Sequence, residues 1–101
     1  MQFFSLNNTS NTASFKEATV LGQSPDGGLY FPEIIPQLPH SFIQNLPQLS
    51  KEEIGFMVMQ PFVGSDIPAK ELKEIVAQTV HFDFPLVKIS HSTSALELFH
   101  G

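Results

Sequence analysis

Eight prolines decide first what this chain cannot become, and five of them, Pro25, Pro32, Pro36, Pro39 and Pro47, fall in one run. Each holds φ near about −65°, withholds an amide hydrogen and pushes the preceding residue out of the helical region. Residues 25–47 therefore form neither a long helix nor the middle of a sheet, and admit at most a short helix around Ser41 to Leu46. At the head of this run stands "SPDGG". Pro25 presets φ for a turn, Asp26 can accept hydrogen bonds from amides two residues on, and Gly27 and Gly28 tolerate positive φ. A tight turn over Ser24 to Gly28 is expected, with Leu29 to Phe31 leaving it extended.

Regular structure is thereby displaced to the flanks. "QFFSL" reads as a short N-terminal strand, and Asn7 to Ser14 as a polar loop. Ser14 and Glu17 have the S-x-x-E spacing of a capping box, in which each side chain satisfies a free amide at a helix start. A helix from Phe15 to Leu21 follows, with Gly22 just past its end. Ser50 and Glu53 repeat the box, opening a helix with Ile54, Met57, Val58 and Phe62 at helical spacing and a break near Pro61. Met57 and Met59 with Phe56 and Phe62 read as core. Pro68 fits the first turn of a third helix reaching Val80. Leu72, Ile75, Val76, Thr79 and Val80 lie on one face of it, and Lys70, Glu71, Lys73 and Glu74 on the other. "PLVKIS" and "SALELF" read as an antiparallel hairpin around "HSTS". The expected fold is a small α+β domain with three to four helices and a few short strands including a C-terminal hairpin. No repeat or flexible linker divides it, so residues 1–101 read as one domain.

Composition narrows the function classes. Five Lys plus Arg against ten Asp plus Glu leave a formal charge of −5, with the cations scattered. Nucleic-acid binding draws on clustered cations that displace counterions, so DNA and RNA are disfavoured as partners, as are anionic membranes. The 42% apolar content, with ten Phe, supports a packed core rather than disorder. There is no Cys, hence no disulfide, zinc–thiolate site or thiol nucleophile. No stretch approaches the roughly 20 apolar residues of a membrane helix, and no signal-peptide pattern opens the chain, so the cytoplasm is the expected location.

Candidate chemistry is sparse. His40, His81, His91 and His100 lack the short spacing that places two metal ligands on one helix face, and no metal site is assigned. His81 follows a helix, where its charged form would complement the helix dipole. Asp26-Gly27-Gly28 lies between a helix and a strand, the reverse of a phosphate-cradling loop, so Pro25, Asp26, Gly27 and Gly28 are assigned as a structural turn. Glu33, Glu52, Glu53, Asp66, Glu71, Glu74, Asp83 and Glu97 read mostly as solvated. No nucleophile, base and oxyanion site assemble, and no catalytic residue is assigned.

Two stretches carry a resemblance when taken in order. "SFKEATVLGQSPDGGLYFPEIIP", Ser14 to Pro36, resembles the opening signature of the threonine synthases, a capped helix followed by P-D-G-G-L-[YF]-x-P. "ALELFHG", residues 95–101, resembles the beginning of that family's L-E-L-F-H-G-P-[TS]-x-A-F-K-D motif, which carries the pyridoxal-phosphate lysine. "QPFVGSDIP" and "FPLVKIS" are similar to the family at compatible spacing. The connection before "FPLVKIS" is shorter than the family's usual one, and "SHSTSA" departs from its ordinary hairpin loop.

The resemblance implies an N-terminal piece of a longer fold-type II enzyme that converts O-phospho-L-homoserine and water to L-threonine and phosphate. It implies pyridoxal phosphate in the parent and none bound here, because His100 and Gly101 begin the cofactor-lysine motif and its lysine lies beyond them. It further implies the remaining catalytic domains as partners, a small-molecule substrate for the parent, a catalytically inert piece, and self-association of that piece through uncovered apolar surface. Two alternatives stand beside it: a free-standing acidic protein-interaction domain, and the N-terminal domain of a related phospholyase.

Overall fold

A computed structural model describes residues 1–99. It shows the expected α+β class. The element order is β1 (Gln2–Ser5), β2 (Thr12–Ser14), α1 (Phe15–Leu21), β3 (Tyr30–Pro32), α2 (His40–Asn45), α3 (Lys51–Val63), α4 (Ala69–Thr79), β4 (Leu86–Lys88) and β5 (Ser94–Leu96), with a 3-10 turn over Leu46–Gln48. β1 is the centre of a three-stranded antiparallel sheet in the order β2-β1-β3. Phe3 sits opposite Ala13 and Pro32, and Phe4 opposite Thr12 and Phe31. Alternation along β1 sends Phe3 toward α1, where its ring lies 6.0 Å from that of Phe15, while Phe4 pairs with Phe31 on the other face at 6.0 Å.

The strand β2 corrects the sequence reading, which left Asn7 to Ser14 as loop. Thr12-Ala13-Ser14 has no local strand pattern; it pairs because β1 lies beside it and Ala13 is small enough to be buried under α1. Both capping boxes form as expected. Ser14 Oγ accepts from Glu17 N at 3.1 Å and Glu17 Oε2 from Ser14 N at 2.8 Å, and Ser50 and Glu53 repeat the pair at the same distances. Each cap contributes about 1 kcal/mol. α3 runs two residues beyond Pro61 and ends at Gly64, whose φ is +62°. Pro61 withholds the amide that would reach the Met57 carbonyl, so the last turn lacks one bond and the helix ends two residues beyond it.

α3 and α4 are antiparallel neighbours, and the core forms where they meet α1. Val63, Leu72 and Val76 are buried, with Phe15, Phe56 and Ile67 packed against them. The axes approach closely at Gly55, where an added Cβ would come 2.7 Å from Val76 Cγ1. Alanine has the better helix propensity by about 1 kcal/mol. Val76 is buried and β-branched, however, and cannot turn aside. Gly55→Ala is expected to lower stability by about 1–2 kcal/mol, and adding Val76→Ala should make the same change favourable. Urea unfolding of the four-member mutant cycle measures that sign reversal. Met57 and Met59 depart from the core reading: they remain 39% and 38% exposed, because α3 is covered by α4 and α1 on one side only.

The hairpin forms as expected, with Leu86 opposite Leu96, Val87 opposite Ala95 and Lys88 opposite Ser94. The residues leading into it are held at the start of α3. Lys51 Nζ donates to the Phe82 carbonyl at 2.7 Å and lies 5.1 Å from the centre of the Phe84 ring, which meets Phe82 edge-on.

Candidate functional site

The densest polar cluster joins the turn after α1 to the loop after β1. The turn closes through Gly27 N to the Ser24 carbonyl at 2.8 Å and Ser24 N to the Gly28 carbonyl at 3.0 Å, with Gly27 at φ +81°. This arrangement aims the Asp26 carboxylate back at β1. Asp26 Oδ1 accepts from Ser5 Oγ at 2.7 Å and from Gly28 N at 2.9 Å, and Oδ2 accepts from Asn11 Nδ2 at 2.8 Å. The Asp26 carbonyl accepts from Asn7 Nδ2 at 3.0 Å, and Ser5 Oγ in turn accepts from Asn7 N at 3.2 Å. Ser5 is fully buried, so its hydroxyl needs these partners.

Gly28 occupies this clasp for a reason other than the one expected. Its φ is not positive. A Cβ there would overlap Ser5 Oγ and come within 2.8 Å of Asn7 N. Close approach of two backbones requires the glycine, and only Gly27 meets the conformational reason. Ser5, Asn7 and Asn11 are not singled out by the sequence, which places Ser5 in a strand and the two asparagines in a polar loop. A polar loop facing an Asp-Gly-Gly turn was the available signal, but nothing local indicated which asparagines reach it.

Hydrogen bonds from Ser5, then from the Gly28 amide and Asn11, hold the Asp26 pKa down to about 2. Its unfolded value is near about 3.9. A depressed folded pKa contributes stability that is present above the unfolded value and lost as pH falls through the folded one. The acid limb between about pH 4 and pH 2 should therefore steepen through Asp26. Asp26→Asn is expected to flatten that limb in a thermal-melt series, and an unchanged slope would remove the clasp as its cause.

The remaining sequence candidates do not converge. His40 contacts Gln44 Nε2 at 3.1 Å within α2, His81 lies one residue past the α4 cap Val80, and His91 sits in the hairpin loop. His100 and Gly101 lie outside the described residues. Among the described residues no three His, Cys, Asp or Glu side chains gather as a metal site would require. Besides Glu53 in its capping box, two more carboxylates read as solvated have structural partners. Asp66 Oδ2 accepts from Lys16 N at 2.8 Å and so caps α1 from the α3–α4 loop, and Glu33 Oε1 accepts from Gln2 N at 3.1 Å. A groove of about 410 Å³ runs between α3 and α4, lined by Leu49, Glu52, Glu53, Phe56, Met57, Lys73 and Ala77. Lys73 Nζ lies over the Phe56 ring at 5.0 Å within it. No helix among the described residues is long and apolar enough to cross a membrane.

The fold and the clasp define a class first: a small α+β domain whose Pro-Asp-Gly-Gly turn is bolted to its first strand. The chain belongs to the family described as threonine synthase N terminus, which matches residues 2–80. It is 36% identical to the threonine synthase of Schizosaccharomyces pombe over the whole chain, which covers 21% of that protein. It is 32% identical to that of Haemophilus influenzae, covering 23%. The chain superposes over its whole length on the crystal structure of Escherichia coli threonine synthase with a TM-score of 0.90 at 28% identity, covering 24% of that chain. On the PLP-bound threonine synthase of Brucella melitensis the TM-score is 0.87 at 34% identity, covering 23%. The chain thus spans between a fifth and a quarter of the length of these four relatives.

Proposed function

We propose that residues 1–101 act as the N-terminal domain of a cytoplasmic pyridoxal-phosphate lyase that converts O-phospho-L-homoserine and water to L-threonine and phosphate, the final step of threonine biosynthesis. The observation that carries this reading is the whole-length superposition on the PLP-bound Brucella enzyme at 34% identity. The residues present do not by themselves fit the cofactor. All five cationic side chains, Lys16, Lys51, Lys70, Lys73 and Lys88, are exposed, whereas an aldimine-forming lysine works from a desolvated site. No catalytic step is therefore assigned to this span. Its role is architectural: Pro25, Asp26, Gly27 and Gly28 fix the turn, and His100 and Gly101 open the motif that leads to the cofactor lysine. Its partners are the remaining catalytic domains and, through them, the phosphorylated substrate. Left alone it associates with itself through uncovered apolar surface.

The test is to join residues 1–101 to the remaining three quarters of the Escherichia coli enzyme and assay phosphate and threonine release from O-phospho-L-homoserine. Activity in the joined chain and none in the 101-residue chain is expected. Turnover by the 101-residue chain alone would overturn the reading, as would an inactive, well-folded joined chain. Release of phosphate with a product other than threonine would assign a phospholyase instead.

A further inference from the structure

Asp26 and Gly27 form the kind of pair in which a backbone amide most readily attacks its neighbour's side-chain carboxyl. The glycine has no Cβ to crowd the five-membered ring that results, and its free φ lets the chain bend into it. In the folded chain, however, both reacting groups are engaged elsewhere. Gly27 N donates to the Ser24 carbonyl at 2.8 Å, and the Asp26 carbonyl of the same peptide group accepts from Asn7 Nδ2 at 3.0 Å. Gln23 Nε2 holds the next carbonyl, that of Gly27, at 2.7 Å. The Asp26 carboxylate itself takes three donors, Ser5 Oγ, Gly28 N and Asn11 Nδ2, at 2.7, 2.9 and 2.8 Å.

These bonds oppose the reaction at separate steps. Attack requires the Gly27 amide to give up its proton and turn its nitrogen onto Cγ, which breaks the bond to Ser24. The carboxyl must also swing away from the Gly28 amide and the Ser5 hydroxyl that grip Oδ1. Finally, an oxygen must leave as water, which a protonated carboxyl allows and an ionised one resists. The donors hold the Asp26 pKa at about 2, so the resistant form is the one present. Burial is not what prevents the chemistry. Asp26 and Gly27 are both exposed, and the water that would complete it is at hand.

From these contacts we propose that Asp26-Gly27 is a latent site of spontaneous isoaspartate formation, kept unreacted by the clasp with Ser5, Asn7 and Asn11. When the clasp opens, Gly27 N bonds to Asp26 Cγ, and the amide hydrogen leaves with the carboxyl OH as water. The product is a succinimide. Water then adds to one of its two carbonyls and breaks that carbonyl's bond to the ring nitrogen. Opening at Cγ restores aspartate, whereas opening at the main-chain carbonyl leaves the chain running through Cβ and Cγ. The water released is the water consumed, and no other reactant is needed. Isoaspartate has a main chain one carbon longer and a side chain one carbon shorter. Its carboxylate can no longer reach Ser5 and Asn11 while Gly27 N reaches Ser24, so the turn does not close on β1 again.

The test incubates the 101-residue chain beside a synthetic peptide of residues 21–31 in mildly acidic buffer. Isoaspartate at position 26 is counted by peptide mapping, with fragment ions that mark the shifted carbonyl. The folded chain should form it at least about 30-fold more slowly than the peptide, because local opening limits the reaction. In concentrated urea the chain and the peptide should agree. Asn11→Ala removes one donor from an exposed position and should speed the folded chain about three-fold or more. Equal rates in the folded chain and the peptide overturn the proposal. So does a chain that stays slow in urea, since the sequence and not the clasp would then govern the rate. An unchanged rate in a folded Asn11→Ala chain also counts against it. Should that variant not fold, the ratio of folded to urea rates in the unaltered chain decides.

Discussion

Gly28→Ala is expected to unfold much of the N-terminal half, at a cost of about 3 kcal/mol or more. The added methyl would occupy the place of Ser5 Oγ and press on Asn7 N at 2.8 Å and Asn7 Cβ at 3.1 Å. None of these can yield as a long side chain would: Ser5 is fully buried and hydrogen-bonded to Asp26, and Asn7 N belongs to the backbone. The strand and the turn must separate, and the clasp opens with them. Gly27→Ala provides the contrast. Its Cβ would meet only Asn7 Nδ2, at 3.8 Å, so its cost is the positive φ of +81°, about 1–2 kcal/mol. Thermal melting should rank Gly28→Ala well below Gly27→Ala. The reverse order would show that conformation, not close approach, governs the turn.

Leu72→Ala should be comparably severe. Leu72 is 3% exposed at the junction of α1, α3 and α4, and truncating a buried leucine costs about 2–5 kcal/mol. For a domain of this size each kcal/mol lowers the melting temperature by about 4–8 °C. A drop of roughly 15 °C is expected, taking much of a stability that is about 5–15 kcal/mol in ordinary domains. Ile75, one turn along the same helix, is 48% exposed, and its truncation should cost less than about 1 kcal/mol. Equal losses at the two positions would mean that Ile75 is covered in solution, as self-association through this face would produce.

The pairing of these two helices with the rest illustrates what could be foreseen. Leu72 and Val76 were expected on the inner face of α4 from helical spacing, and they are the residues buried there. Ile75 and Thr79 share that face by spacing but are exposed, Ile75 to 48%, while α4 packs mainly on α3. Asp66 looked like a solvated loop carboxylate, and its bond to the Lys16 amide spans 50 residues. No local pattern reports such a partner. The same holds for the strand made of Thr12 to Ser14, for the reach of Asn7 and Asn11, and for the half-exposure of Met57 and Met59.

Where the physics is confined to a few neighbouring residues, the sequence alone was decisive. Both capping boxes, the turn at Ser24 to Gly28, the placement of prolines at element ends and the hairpin are local outcomes of backbone sterics and short-range hydrogen bonding. The sequence also carried the family, through motifs that need only order and spacing. The tertiary structure decided which faces are covered, why Gly28 and Gly55 must lack a side chain, and that Leu86 and Leu96 of the hairpin stay exposed. Those outcomes depend on the distance between segments far apart along the chain, and that distance is set by three-dimensional packing rather than by any residue's own preference.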